Sequence, residues 1–249
     1  MSFMGSAHIL RHLLFAILIV VGRADAETVE VYALEAMPYC GIEQGQPTGL
    51  AVEILQAASR YGAPTFHFRF DIPWPRAQDM IQHQGNALIA IIPFSRTAPR
   101  ESHYRWLAKL ISVQTRFYSY QRLRPLASMD EAKTVKIGLV RGHALIKELQ
   151  NAGFRNLDQG AADANHNIRK LFYGRFDTIA ESNMIVRYHW KKLGYPANAL
   201  QEGAAIGPLT GVYLASGLAF PDKTELLIQQ AISQLQANGE LQQILARWK

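Results

Sequence analysis

The chain has 249 residues, 49% of them hydrophobic and 18% charged, with 18 glycines, 11 prolines and one cysteine. A mean hydropathy near zero and the lack of any uninterrupted apolar run of ~18 residues exclude a multi-span membrane protein, and the composition excludes disordered, collagen-like and coiled-coil chains. One cysteine cannot close an internal disulfide, no Cys/His cluster offers structural zinc, and the formal charge of +6 comes from scattered Lys and Arg, not from the runs that bind nucleic acid.

At the N-terminus, Arg11 precedes an apolar segment over residues 13–21, and Ala24-Asp25-Ala26 follows as a small-x-small site. A basic start, a short apolar core and such an end describe a secretory signal peptide cleaved after Ala26, and the apolar run is about half the ~20 residues a membrane span needs. No cysteine follows the apolar core where a lipid anchor would need one. The expected product is an exported, periplasmic protein beginning at Glu27.

Beyond residue 26, strand and helix signals alternate. Residues 28–34 alternate apolar and polar, which predicts a strand; 49–61 carry Leu50, Ile54, Ala57, Ala58 and Tyr61 at helical spacing, stopped by Gly62. Phe66, Phe68 and Phe70 alternate with His67 and Arg69 as a strand with one aromatic, core-facing side. Pro75 suits the first turn of a helix running to His83, with Gly85 as its end. Residues 87–92 form a continuous apolar run typical of a buried parallel strand. This β-α-β-α-β order predicts an open, mostly parallel sheet flanked by helices.

A second unit of the same kind follows the segment 115–124. It has a strand at 135–140, a helix through Gln150 closed by Gly153, a helix over 165–173 closed by Gly174, and a short strand at 177–180. Ser182 is placed to cap a helix to Leu193. A strand over 211–220 comes next, then a long helix opened by Pro221, and Gly239 sets off a last helix ending at Trp248. Two α/β lobes fit the domain-size expectation better than one.

Several of these stretches resemble extracellular solute-binding protein family 3. Met37-Pro38-Tyr39 followed by Gly45-Gln46-Pro47-Thr48-Gly49-Leu50-Ala51-Val52-Glu53 resembles its opening pattern. Trp74-Pro75-Arg76-Ala77 with Gly85-Asn86-Ala87 is similar to a second motif, Asn86 standing for the usual Asp. Phe94-Ser95-Arg96-Thr97-Ala98-Pro99-Arg100-Glu101, the stretch from Val135 to Gly142, the stretch from Leu171 to Asp177 and the C-terminal segment from Gly239 follow in the family's order.

The resemblance implies a type II periplasmic-binding-protein fold. Two lobes, each a mostly parallel sheet flanked by helices, would be joined by two crossing strands and close like a hinge on a ligand. Lobe 1 would hold residues 27–115 and 215–249, lobe 2 residues 120–210, with crossings at 116–119 and 211–214. It also implies a small anionic or zwitterionic, amino-acid-like ligand, no cofactor, a monomeric state, and a membrane permease of the ABC-transporter type as partner, or a membrane sensor.

Ligands of open α/β sheets sit at the carboxyl ends of strands, so the loops there supply the candidates. By resemblance, Arg100 grips a ligand carboxylate, for which a planar guanidinium is well matched; the plain alternative is a local salt bridge with Glu101. Ser95 and Thr97 would offer hydroxyls to the same ligand, or serve as turn residues. Arg141 and His143 stand at a helix start, where free amides and the helix dipole receive anions; His143 replaces the small hydroxyl residue usual in amino-acid binders, or simply faces solvent. The family's ammonium-binding Asp falls at Ser182, so the neighbouring Glu181 is the candidate carboxylate, or else serves the cap of the next helix. Tyr39 and Trp74 are candidate aromatic walls, Trp74 on a stiff loop between prolines; packing of loop on lobe is the alternative for both. The sequence carries no G-x-S-x-G, H-E-x-x-H or P-loop, so the chain is read as a binder and not an enzyme. The competing readings are a periplasmic enzyme resembling cyclohexadienyl dehydratase, with Glu181 in acid/base work, and a ligand-sensing module.

Overall fold

The computed structural model describes residues 27–248 except 84, 86, 122, 123 and 144. The expected signal peptide and its cleavage after Ala26 lie outside the described residues, as does Asn86.

The chain first builds β1 (Thr28–Ala33), a small hairpin of β2 (Gly41–Glu43) and β3 (Gln46–Thr48), α1 (Leu50–Ser59), β4 (Thr65–Arg69), α2 (Trp74–His83), β5 (Ile89–Ser95) and β6 (Arg105–Val113). It then builds β7 (Thr115–Tyr120), α3 (Met129–Ala132), β8 (Ile137–Val140), α4 (Leu145–Asn151), β9 (Leu157–Ala161), α5 (Ala164–Phe172), β10 (Thr178–Ser182), α6 (Asn183–Lys192) and β11 (Leu200–Ala205). Finally β12 (Thr210–Ser216), α7 (Asp222–Ala237) and α8 (Glu240–Arg247) return to the first unit.

Two five-stranded sheets result, ordered β4-β1-β5-β12-β6 and β11-β7-β10-β8-β9. β1 is parallel to β4 and β5, while β12 runs antiparallel to both β5 and β6. In the second sheet β8 is parallel to β9 and β10, and β7 runs antiparallel to β10 and β11. In each sheet one strand therefore opposes the rest. The fold is α/β and two-lobed.

The burial follows from the sequence. Helix α1 is apolar around most of its circumference, and Leu50, Ala51, Val52, Ile54, Leu55, Ala57 and Ala58 are all buried. Such a helix needs cover on more than one side; it lies on the first sheet with α7 and α8 against it. Arg105 on β6 bonds Asp222, Glu225 and the Phe220 carbonyl at the start of α7, fastening the C-terminal helices to the sheet. Phe68 is buried, and Phe66 and Phe70 pack against the same core.

The chain leaves the first sheet between β6 and β7, at Gln114, and returns over residues 206–209 between β11 and β12. The expected crossings at 116–119 and 211–214 instead fall inside β7 and β12, each hydrogen-bonded within its own sheet. β5 runs past the expected 87–92 to Ser95, because Phe94 and Ser95 extend the ladder by pairing with Tyr213 and Val212.

Candidate functional site

Strand direction defines where the lobes face each other. The carboxyl end of β5 pairs with β12 next to the crossing, Ser95 opposite Val212. The carboxyl end of β10 reaches the crossing from the other lobe, Ser182 opposite Thr115. The loops after β1, β4 and β5 and those after β8 and β10 therefore border one cleft, the position where open α/β sheets bind ligands.

In lobe 1 an aromatic cluster supports the rim. Phe94 is fully buried, with Trp74 edge-on at 6.1 Å, Tyr104 edge-on at 4.7 Å and Trp106 stacked at 5.8 Å between ring centroids. Tyr213 meets Trp106 edge-on at 5.4 Å. The Arg100 guanidinium lies over the Phe94 ring, 4.1 Å from its centroid, a cation–π contact that fixes the side chain without neutralising it. Arg100 Nη1 donates to the Ser95 carbonyl at 3.2 Å and Nη2 to Gln78 Oε1 at 3.1 Å.

Among the described residues no carboxylate pairs with Arg100. The alternative of a local salt bridge with Glu101 is not what the structure holds, because Glu101 is taken by Arg96. Arg96 Nε donates to Glu101 Oε2 at 2.8 Å, and Nη2 donates to Oε1. Burial pulls the Arg100 guanidinium below its ordinary pKa, with only the phenol of Tyr104 acting the other way. The Arg96–Glu101 pair moves both partners toward their charged forms, Arg96 up and Glu101 down.

In lobe 2 the rim carries a buried carboxylate. Glu181, near the end of β10, is buried, and its Oε1 accepts the Ser182 N–H at 2.7 Å. His143 Nε2 lies 3.8 Å from the same oxygen. The His143 Nδ1 accepts the Leu145 N–H at 3.1 Å, which leaves Nε2 as the ring nitrogen nearest Glu181. Burial raises the Glu181 pKa, and the neighbouring imidazole and the Ser182 amide oppose that rise.

The sign of this shift gives a prediction. A carboxylate whose folded pKa is raised above its unfolded value contributes stability that is fully present below the unfolded pKa of 4.5 and is lost as pH rises through the folded pKa. Glu181→Gln is therefore expected to raise the melting temperature at pH 7–8 and to leave it nearly unchanged below about pH 4. Thermal unfolding followed across pH reads this directly; a variant less stable than the wild type at pH 8 would contradict it.

The lobes also touch directly. Tyr39 Oη and Ser182 Oγ lie 2.5 Å apart in a buried hydrogen bond, and the Asn183 N–H donates to the Gln114 carbonyl at 3.0 Å in the crossing itself. Glu43, in the β2–β3 hairpin, accepts from Lys192 Nζ at 2.7 Å and Tyr188 Oη at 3.1 Å on α6.

The remaining candidates are placed as follows. Tyr39 is buried and bridges the lobes, so it is not an open wall. Trp74 is the first residue of α2, not a loop residue, and packs its ring on Phe94. Ser95 and Thr97 have exposed side chains, and it is their carbonyls that act locally, holding the Arg100 Nη1 and backbone N–H. Ser182 is the N-cap of α6, but its hydroxyl bonds Tyr39 and not the helix amides. Arg141 is exposed. The Leu145 amide, at the described start of α4, is already bound by His143 Nδ1, so it is not free for an anion.

The cleft thus brings Arg100 with the Ser95 and Thr97 backbones together on one lobe, and Glu181, His143 and Ser182 on the other. Sequence reasoning missed Arg96 and Gln78. Arg96 lies between Ser95 and Thr97 in the family-like motif, and Gln78 is one helical turn beyond Trp74, whose carbonyl it bonds at 3.4 Å. Surface hollows of ≈ 720 Å³ beside β4 and ≈ 560 Å³ beside α6 lie on the flanks.

No protein-family model matches the sequence, and no curated protein matches it. Solved structures do. A histidine kinase sensor domain with similarity to periplasmic binding proteins superposes with a TM-score of 0.72 at 18% identity, covering 91% of this chain and 97% of that one. The GluR0 ligand-binding core from Nostoc punctiforme, solved with L-glutamate, gives 0.71 at 13% identity, covering 88% and 98%. The arginine-, lysine-, histidine-binding protein ArtJ from Geobacillus stearothermophilus gives 0.66 at 16% identity, covering 89% and 95%. The protein has the type II periplasmic-binding-protein fold.

Proposed function

We propose that the protein is a periplasmic solute-binding protein, of the type of extracellular family 3, that closes its lobes on a small metabolite bearing a carboxylate and delivers it to a membrane transporter. The observation that carries this reading is Arg100, a half-buried guanidinium at the cleft rim, held by Phe94, Gln78 and the Ser95 carbonyl with no carboxylate partner among the described residues. A cation fixed in place and left unneutralised is what a charge-assisted pair with a ligand carboxylate requires. Hinge closure would bring Glu181, His143 and Arg141 of lobe 2 toward that ligand. Glu181 has a nearby imidazole and a backbone N–H as partners, which fits a role in shaping the cleft better than a general base open to a substrate. The solved sensor domain matched over 97% of its length favours a second reading in which the same ligand-loaded state is presented to a membrane receptor. No cofactor enters either reading, and both have the protein acting as a monomer.

A thermal-shift screen over amino acids, organic acids and aromatic metabolites tests the reading. A ligand at 100 times its Kd adds about 2.7 kcal/mol of stability, so true ligands are expected to raise the melting temperature by several degrees and all to carry a carboxylate. A set of hits without a carboxylate would count against it.

A further inference from the structure

Two guanidiniums share one aromatic floor at the lobe 1 rim, yet only one of them is neutralised. Arg96 lies over Trp106 and Tyr213, its Cζ 5.5 Å and 5.7 Å from their ring centroids, and it holds both oxygens of Glu101. Arg100 lies over Phe94, which stacks on Trp106, and Glu101 is the very next residue in the chain. The nearest carboxylate in sequence is thus committed to Arg96.

We infer that Arg96 is a positioning residue that sequesters Glu101 and so keeps the Arg100 guanidinium open for an anion. Arg96 need not touch the ligand to do this. Its guanidinium is planar and forked, so it engages both Glu101 oxygens at once. The rings of Trp106 and Tyr213 lie under it, 5.5 Å and 5.7 Å from its Cζ. Once Arg96 is removed, Glu101 loses its partner next in sequence to Arg100, a guanidinium with no carboxylate among the described residues, and pairing between them follows. The inference rests on the reading of Arg100 as the anion contact, but it makes a prediction that needs no ligand.

Phenylglyoxal, which reacts with guanidiniums not engaged by carboxylates, is the probe, with modification of Arg100 followed by peptide mass spectrometry on the full chain. Exposed ion pairs carry 0.2–1 kcal/mol, so capture of Arg100 by Glu101 in Arg96→Gln is expected to slow its modification roughly two- to fivefold. Arg96→Gln/Glu101→Gln is expected to restore the wild-type rate, a rescue that a merely structural role of Arg96 does not produce. An unchanged Arg100 rate in Arg96→Gln, or a slowed rate that the double variant fails to restore, would overturn the inference. Failure of the carboxylate reading itself would appear elsewhere, as carboxylate-bearing ligands whose binding is indifferent to Arg100.

Discussion

Phe94→Ala is expected to destabilise the protein by about 3–5 kcal/mol, the range for removing a large aromatic from a packed core. Phe94 is completely buried, and it is the hub of the lobe 1 rim: Trp74, Tyr104 and Trp106 all contact its ring. Aromatic pairs of this kind contribute roughly 0.5–1.5 kcal/mol beyond their buried area, so the cost belongs at the upper end. The same ring is the seat of Arg100, so ligand affinity should fall together with stability. Urea unfolding measures the first effect. A loss below about 0.5 kcal/mol, the range of an ordinary surface change, would show that Phe94 is not the packed centre of the cluster.

The second large effect is expected at Gly49. Its φ of +117° is one that side chains rarely adopt, and a Cβ there would stand 2.6 Å from the Tyr39 carbonyl oxygen and 2.7 Å from the Cys40 Cα. Both neighbours are backbone, and both are tied down: the Leu50 and Ala51 N–H groups donate to the carbonyls of Pro38 and Tyr39 at 2.8 Å. Gly49→Ala therefore combines a conformational cost of about 1–3 kcal/mol, for a backbone region essentially confined to glycine, with an overpacking cost of about 1–3 kcal/mol. It also pushes on Tyr39, whose hydroxyl bridges to Ser182 in the other lobe. Gly45 is the control. It has φ +75° in the β2–β3 turn, and a Cβ there would meet open space, so Gly45→Ala carries the conformational cost alone. Equal losses for the two variants would contradict the close approach at Gly49.

Much of this architecture is legible in the sequence, for physical reasons that also explain the gaps. β1, α1, α2, α5, α7 and α8 follow their periodic apolar faces and their glycine or proline punctuation. Strand β6 hides because Leu107, Leu110 and Ile111 recur at helical spacing, and its buried residues fall on both faces of the strand. β9 and β11 are sheet edges rich in polar residues and glycine, with the sequences LDQGA and LQEGAA, so no alternation marks them. At the candidate site, motif order points to Arg100, Glu181 and His143 as candidates. What motif order does not reveal is which carboxylate pairs with which arginine. That choice depends on the floor made by Phe94, Trp106 and Tyr213, which come from three different strands and meet only after folding. Ser182 illustrates the same limit: its position suits a helix cap, but a phenol from the other lobe captures its hydroxyl.

The proposed role of Arg100 as the carboxylate contact is checked by calorimetric titration of the strongest ligand from the thermal-shift screen into the wild type and Arg100→Gln. Losing a charge-assisted contact from a closed site costs 2–5 kcal/mol, so affinity is expected to drop about 30-fold or more. The unfolding midpoint without ligand should fall only modestly, because Arg100→Gln gives up the contacts to Phe94, Gln78 and the Ser95 carbonyl but no ion pair with a described residue. Unchanged affinity in Arg100→Gln would contradict the account.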